Sequence, residues 1–333
     1  MMKNDANGKD IKNLWLAGVM GVVVGDALGC PVQFITRQEV KADPVKKMIG
    51  YGTFNLPAGS WTDDSSLTLA LLSSIGDRKS VDTTDIMNRF VEWLDDGEYT
   101  PFGMSFDIGR GTMIAIEKYK RTHDAVTCGG TSEHDNGNGS LMIILPACIY
   151  GYVSGLSGEE AVDLIHRVSA LTHGHMRSKM ACGIYYFCMK PILDVEGPLK
   201  ERLQRGVTAA FDFYEKNSDK YGGATEKYGN DELAYYDRIR DIEAFSELPE
   251  KDIKSSGYVV DSLEAAIWCL ATTGSFEECE LKAVNLGEDT DTIGATAGGL
   301  AGIFYGYDAI PSDWLEVIQR REWIEERCDV EAK

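Results

Sequence analysis

The stretch Thr290-Asp291-Thr292-Ile293-Gly294-Ala295-Thr296-Ala297-Gly298-Gly299-Leu300-Ala301-Gly302-Ile303-Phe304-Tyr305-Gly306 decides the fold. Its glycines at 294, 298, 302 and 306 recur every four residues, the spacing that lines one face of an α-helix. Each glycine in a helix interior costs about 1 kcal/mol relative to alanine, so such a stripe signals that another backbone comes close. A matching stripe lies near the N-terminus, where Gly18, Gly21 and Gly25 share one face of the apolar run 14–28. Two tightly packed central helices are therefore expected. Small residues at this spacing also mark helix pairs in membranes. Here the run 14–28 contains Asp26, and 293–307 is uncharged for only about three-quarters of the roughly 20 residues a span needs. Packing inside a soluble protein is the expected use.

Outward from these helices the same period continues. Segments 66–75, 84–94, 113–119, 161–171, 180–189, 262–270 and 312–324 repeat apolar residues at three- and four-residue intervals. Alternating strand patterns are scarce. The expectation is an all-α fold, a single compact multi-helix domain over residues 13–326, with a flexible N-terminal segment 1–12 and a C-terminal tail 327–333. Turn-forming residues concentrate in 122–139, the segment 99–111 mixes Pro, Gly and aromatics, and 222–257 is polar and charged around short helical pieces; all three read as long loops of the kind that carry function.

Composition excludes several classes. The chain has 333 residues, with 33 basic and 53 acidic side chains and a formal charge of −20. That balance disfavours nucleic acid and anionic membranes as partners. The hydrophobic share of 44% supports a sizeable core. The eight cysteines include no C-x-x-C pair and several lie in apolar helical runs, so they read as reduced core thiols. A signal peptide ending at Cys30 is interrupted by Asp26 and lacks a small-x-small cleavage pattern. A cytoplasmic protein is expected, with the monomer as its expected state.

Two acidic clusters each stand directly before an unusually apolar helix. The first is Gly59-Ser60-Trp61-Thr62-Asp63-Asp64-Ser65-Ser66, where Ser60 and Asp63 also resemble a capping box. The second is Glu288-Asp289-Thr290-Asp291-Thr292. Carboxylates this close repel unless a cation neutralises them. If the helix starts converge, Thr62, Asp63, Asp64, Asp289, Asp291 and Thr292 offer only hard oxygen donors, a set suited to Mg²⁺, Mn²⁺ or Ca²⁺ and not to zinc or copper. Four carboxylates can hold two such ions, as two-metal hydrolases require. The turn Asn136-Gly137-Asn138-Gly139-Ser140 exposes N–H groups suited to phosphate oxygens. Thr172-His173-Gly174-His175 lacks the spacing of a zinc site. No Walker A loop, nucleophile elbow, H-E-x-x-H or dinucleotide fingerprint is present.

Taken together and in order, Gly25-Asp26-Ala27-Leu28-Gly29, Thr62-Asp63-Asp64, the turn 136–140, Thr172-His173-Gly174-His175 and Asn285-Leu286-Gly287-Glu288-Asp289-Thr290-Asp291-Thr292 resemble the ADP-ribosylglycohydrolase family over roughly residues 14–324. The resemblance implies a helical fold with a binuclear metal cleft, holding two Mg²⁺ with Mn²⁺ as a substitute. It further implies hydrolysis of an α-linked ADP-ribosyl group on a protein side chain, through an N- or O-glycosidic bond. By position, Thr62, Asp63, Asp64, Asp289, Asp291 and Thr292 correspond to metal ligands. Asn136, Gly137, Asn138, Gly139 and Ser140 correspond to the loop that receives the phosphates and distal ribose, and His173 to a residue lining the same cleft. Asp26 corresponds to a structural position that orients the first helix against the metal floor.

Two departures stand out. Many members carry a glutamate where this chain has Gln33, which can bind a ribose but cannot act as a base. The usual arginine after the glycine-rich turn is replaced by Ile143, which removes a cation expected near the substrate loop. The implied chemistry is a ribose diol and a water held by two ions, with Asp63 or Asp289 taking the water's proton as the C1″ bond opens. Two alternatives share these residues: a two-metal hydrolase of a free ADP-ribose-like or ribosylated metabolite, and a catalytically silent ADP-ribose-binding protein.

Overall fold

The computed structural model describes residues 7–221 and 231–330. Sixteen α-helices follow in order: α1 Asn7–Gly29, α2 Arg37–Ala42, α3 Asp63–Arg78, α4 Thr83–Asp96, α5 Arg110–Thr122, α6 Leu145–Val153, α7 Gly158–Ser169, α8 Met176–Asp194, α9 Leu199–Lys216, α10 Ser218–Tyr221, α11 Ile242–Ser246, α12 Val259–Ala271, α13 Phe276–Val284, α14 Thr290–Tyr305, α15 Ser312–Val317 and α16 Arg321–Arg327. Among the described residues there is no strand, only isolated bridges pairing Gly130 with His173 and Gly137 with Tyr258. The fold is all-α, as the periodicity implies.

The glycine stripes meet as expected. A Cβ added to Gly21 would stand 2.0 Å from the Gly298 carbonyl oxygen, and one on Gly25 would stand 2.2 Å from that of Gly294. Gly302 approaches the Ala17 carbonyl in the same way, at 2.1 Å. Backbone therefore packs on backbone along most of the α1–α14 crossing. The end members differ: Gly18 faces the side chains of Ile303, Leu145 and Ile149, and Gly306 terminates α14 at φ +85°. Around this pair, α3, α8 and α12 are buried over most of their length, which makes the core continuous.

Local signals explain several helix starts. Asp82 caps α4 by accepting from the N–H groups of Thr84 and Asp85, at 3.0 and 3.1 Å. Ser157 and Glu160 form a capping box on α7. The first turn of α3 uses Thr62 and not Ser60: Thr62 is the N-cap, and the Ser60 hydroxyl donates to the Pro57 carbonyl. Ser60 and Asp63 form no capping box.

Other expectations need correction. The segment 312–324 is not one helix. It breaks between α15 and α16 at Ile318, Gln319 and Arg320, where Gln319 N–H donates to the Gly59 carbonyl and the Arg320 guanidinium to the Thr100 carbonyl. The break docks this corner onto the loop that leads to α3. At the N-terminus, α1 begins at Asn7, inside the stretch 1–12 expected to be a flexible segment; residues 1–6 lie outside the described residues. The longer helix also overturns the length argument made from 14–28: Ile11–Val32 is long and apolar enough to cross a membrane, but 83% of its window is buried inside the protein. In the expected tail, Cys328 and Val330 are buried, while 331–333 lie outside the described residues. The segment 222–257, by contrast, carries helical pieces as expected, namely α11 and 3₁₀ stretches at Glu232–Ile239 and Glu250–Asp252, with 222–230 outside the described residues. All eight cysteines are free and buried.

Candidate active site

Three helix ends converge because the α1–α14 crossing aligns them. The C-terminal part of α1 brings Asp26 against the start of α3, where its carboxylate accepts from Thr62 N–H at 3.0 Å and from Ser65 N–H at 2.9 Å. The Ser65 hydroxyl adds a 2.5 Å bond. Asp26 thus absorbs orphan donors of a helix N-terminus. Burial nevertheless pushes its carboxyl up to about 7. The start of α14, with Asp289 as N-cap, lies beside it: Thr290 donates to the Gly29 carbonyl at 2.8 Å.

The two acidic clusters meet here. Asp64 Oδ2 faces the hydroxyl of Thr62 at 3.2 Å and that of Thr292 at 3.5 Å, one from each helix start. Its other oxygen, Oδ1, and both oxygens of Asp291 are buried with no hydrogen-bond partner. Asp63 takes the Gly109 backbone N–H. Asp289 accepts from the Asn138 amide at 2.5 Å. Burial, with the neighbouring carboxylates adding to it, pushes Asp63, Asp64 and Asp291 far above the usual carboxylate range. Asp289 is pushed up to about 6 by burial, against the Asn138 bond that favours its charged form. No lysine or arginine pairs with any of these acids among the described residues. Buried carboxylates with orphaned oxygens and no cationic partner fit divalent cations, since unpaired buried charge is otherwise strongly disfavoured.

Above this floor opens a cavity of about 480 Å³, a size typical of small-molecule sites. Asp63, Asp64, Asp289 and Thr292 line it directly, whereas Thr62 and Asp291 lie in the floor beneath. Gln33 and Phe34 border one side. The Gln33 amide lies beside Asp107 and Asp289 and favours their charged forms. Phe34, 65% exposed and at φ +64°, is held by reciprocal backbone bonds in which its N–H donates to Glu288 and Glu288 N–H donates to Ile35. His173 is buried, its Nδ1 3.0 Å from the Thr172 hydroxyl, and desolvation pushes it down to about 4, so its ring is neutral near pH 7.

The glycine-rich turn divides its residues between two faces. Gly137, Asn138 and Gly139 line the cavity. Asn136 and Ser140 do not: the Asn136 amide bonds the Glu133 carbonyl and the Ser178 hydroxyl, and the Ser140 hydroxyl accepts from Ser169 and lies 3.6 Å from Cys182 Sγ. Both serve the core behind the turn. Ile143 is fully buried and does not border the cavity, so the cation expected at its position is not lost from the lining of this cleft.

Sequence reasoning missed Asp107. It lies in the loop before α5, holds φ +55°, lines the cavity beside Gln33 and near Asp291, and burial raises its carboxyl. The local signal was weak: a lone acid in Asp107-Ile108-Gly109, just before a helix start, without the adjacent threonine that marks the other two clusters. Elsewhere, ligand atoms of Glu133, His175 and Glu232 come within 4.8 Å of one another. Arg177 already supplies the cation there, its Nε donating to Glu232 and its Nη1 to Glu133, both at 2.8 Å.

The fold and site define a helical hydrolase whose cleft is floored by carboxylates from two helix starts. Residues 8–332 match the family model described as ADP-ribosylglycohydrolase, and the chain belongs to that family. It is a glycosidase-type hydrolase, an ADP-ribosylglycohydrolase. It is 31% identical over 309 residues to the ADP-ribosylarginine hydrolase Tri1 of Serratia proteamaculans, covering 92% of this chain and 75% of that protein. It is 29% identical to the ADP-ribosyl-[dinitrogen reductase] glycohydrolase of Rhodospirillum rubrum, covering 98% and 97% of the two chains. A solved structure described as an ADP-ribosylglycohydrolase-related protein complex superposes with a TM-score of 0.75 at 30% identity, covering 97% of this chain and 98% of that one.

Proposed function

We propose that this hydrolase removes ADP-ribose from an arginine side chain of a modified protein, using two Mg²⁺ ions, or Mn²⁺, held by Thr62, Asp63, Asp64, Asp289, Asp291 and Thr292. The observation that carries the reading is the set of buried, unpartnered oxygens of Asp64 and Asp291 under an open cavity. The arginine linkage is supported by the relative in Serratia proteamaculans, whose name specifies that linkage. Bound on this floor, the ions would supply Lewis-acid polarisation of the distal ribose and a water of lowered pKa.

The chain's own residues do the rest. Asp63 and Asp289 both line the cavity, one fixed by the Gly109 N–H and the other by the Asn138 amide, so each can accept a proton from the attacking water. As the water oxygen bonds to C1″, the C1″–N bond breaks and its electron pair leaves with the guanidine. Neutral His173 offers its ring to the sugar side of the cleft, next to Gly137 and Gly139. Gln33 orients substrate without serving as base. Asp63→Ala and Asp291→Ala should each abolish Mg²⁺-dependent release of ADP-ribose from ADP-ribosylarginine protein, read by mass. Near-normal turnover in both variants overturns the assignment.

A further inference from the structure

The cavity presents an electrostatic problem that its floor does not solve. Five aspartates line it, namely Asp63, Asp64, Asp107, Asp135 and Asp289, and the ligand proposed for it carries a diphosphate. Among the lining residues only one is a lysine or arginine, Arg110. It is the first residue of α5, it is exposed to the cleft mouth, and no acid pairs with it among the described residues. Most other arginines of the chain bond carboxylates or carbonyls, including Arg37, Arg78, Arg89, Arg177, Arg202, Arg238, Arg240, Arg320 and Arg321. Arg121, Arg167 and Arg205 also bond no carboxylate or carbonyl among the described residues, and of these unspent guanidinium groups only that of Arg110 lines this cavity.

Its surroundings favour an anion. Gly109 caps α5 without a side chain, no acid occupies the first turn, and the N–H groups of Arg110, Gly111 and Thr112 have no acceptor among the described residues. The nine-tenths-buried His173 turns its Nε2, which has no hydrogen-bond partner among the described residues, toward this turn: a Cβ on Gly111 would stand 2.7 Å from that nitrogen, and one on Gly137 3.2 Å. The first turn of α5, His173 and the glycine-rich turn are thus packed against one another around one wall of the cleft. Gly139 completes the contact, since a Cβ there would lie 3.0 Å from the Thr112 hydroxyl.

We infer that Arg110 is the residue by which this cleft recognises the diphosphate of its substrate, pairing with the phosphate oxygens opposite the N–H groups of the glycine-rich turn. The inference rests on the ADP-ribosyl reading of the site. A guanidinium suits the role because its planar donors match phosphate oxygens in pairs. Arg110 selects the pyrophosphate-bearing ligand by affinity, apart from the bond-breaking groups on the floor.

The test is ADP-ribose binding by calorimetry in Mg²⁺ buffer, at low and high NaCl, with wild type, Arg110→Ala and Arg110→Lys. Steady-state hydrolysis of ADP-ribosylarginine protein accompanies it. Arg110→Ala should weaken ADP-ribose about tenfold or more at low salt, as expected for a lost charge-assisted contact that is partly solvent-exposed. Arg110→Lys should recover part of that loss, the salt dependence of binding should become shallower in the alanine variant, and the kinetic loss should fall mainly on KM. A merely structural role would leave the salt dependence unchanged. ADP-ribose affinity within twofold of wild type in Arg110→Ala, with wild-type hydrolysis intact, overturns the role of Arg110 and leaves the proposed function standing. Arg110-dependent ADP-ribose binding in an enzyme that releases nothing from ADP-ribosylarginine protein overturns the substrate reading and supports the role of Arg110.

Discussion

Replacing Gly298 by alanine tests whether the glycine stripes exist for backbone contact. The added methyl would stand 2.2 Å from the Gly21 carbonyl oxygen and 2.9 Å from its carbon, so the two helices must part by about 1.2 Å to reach the 3.4 Å of ordinary contact. Neither atom belongs to a side chain that can rotate away. Alanine gains about 1 kcal/mol of helix propensity. Overpacking against rigid backbone, together with the voids opened along the crossing, costs more, and a net loss of about 2–4 kcal/mol is expected. Gly76 in α3 is the internal control, because a Cβ there meets only Val330 Cγ2 at 3.7 Å. Gly76→Ala should be neutral or stabilising by up to about 1 kcal/mol. Urea unfolding of both variants, with m-values compared, is the assay. Equal stability of Gly298→Ala and Gly76→Ala would refute the close-approach argument. Because α14 also carries Asp289, Asp291 and Thr292 at its start, a displaced α14 should weaken divalent-cation binding in the same variant.

Three further perturbations have expected outcomes. Glu280 on α13 is buried with both oxygens unpartnered, 2.5 Å from where a Gly25 Cβ would lie, and burial raises its carboxyl well above the usual range. The folded state therefore holds a proton that the unfolded chain releases, so stability falls by about 1.4 kcal/mol per pH unit as pH rises from the unfolded value toward the folded one. Glu280→Gln should remove that contribution in urea titrations run upward in pH from the ordinary carboxylate range, and parallel wild-type and variant profiles would contradict it. Asp26→Ala strips the acceptor from Thr62 N–H, Ser65 N–H and the Ser65 hydroxyl. Stability should drop by about 2–4 kcal/mol, and Mn²⁺ affinity in calorimetry should drop about 10–100-fold through misplacement of Thr62 and Asp64. Chelation of wild type should lower its thermal midpoint relative to saturating Mg²⁺, by the equivalent of about 2.7 kcal/mol at a hundredfold excess over Kd; coincident melting curves would argue against a cation on the carboxylate floor.

Much of this architecture is legible in the sequence because it is local and periodic. Gly21, Gly25, Gly294 and Gly298 mark their own contact, and the Thr/Asp clusters sit directly before the apolar helices that carry them. What the sequence hid depends on long-range anchoring. The turn at 136–140 is pinned by Asn138 N–H on the Gly257 carbonyl and by Val259 N–H on the Asn136 carbonyl, and that pinning sends Gly137 and Gly139 to the cavity and Ser140 to the core. No local signal separates those faces. Asp107 and Arg110 were masked by a loop of mixed composition, and their placement becomes visible only when the start of α5 meets His173. The break at Ile318 arises from docking onto the Gly59 loop, against an apolar period that would continue the helix.

The most direct test of the central claim is release of free ADP-ribose from an ADP-ribosylarginine protein, followed by mass with the purified enzyme in Mg²⁺ and again in EDTA. Serine-linked and nucleobase-linked substrates run in parallel. The carboxylate floor predicts turnover of the arginine-linked protein in Mg²⁺ and its loss in EDTA, restored by Mn²⁺. Undiminished release in EDTA, or no release from any linkage in Mg²⁺, would contradict it.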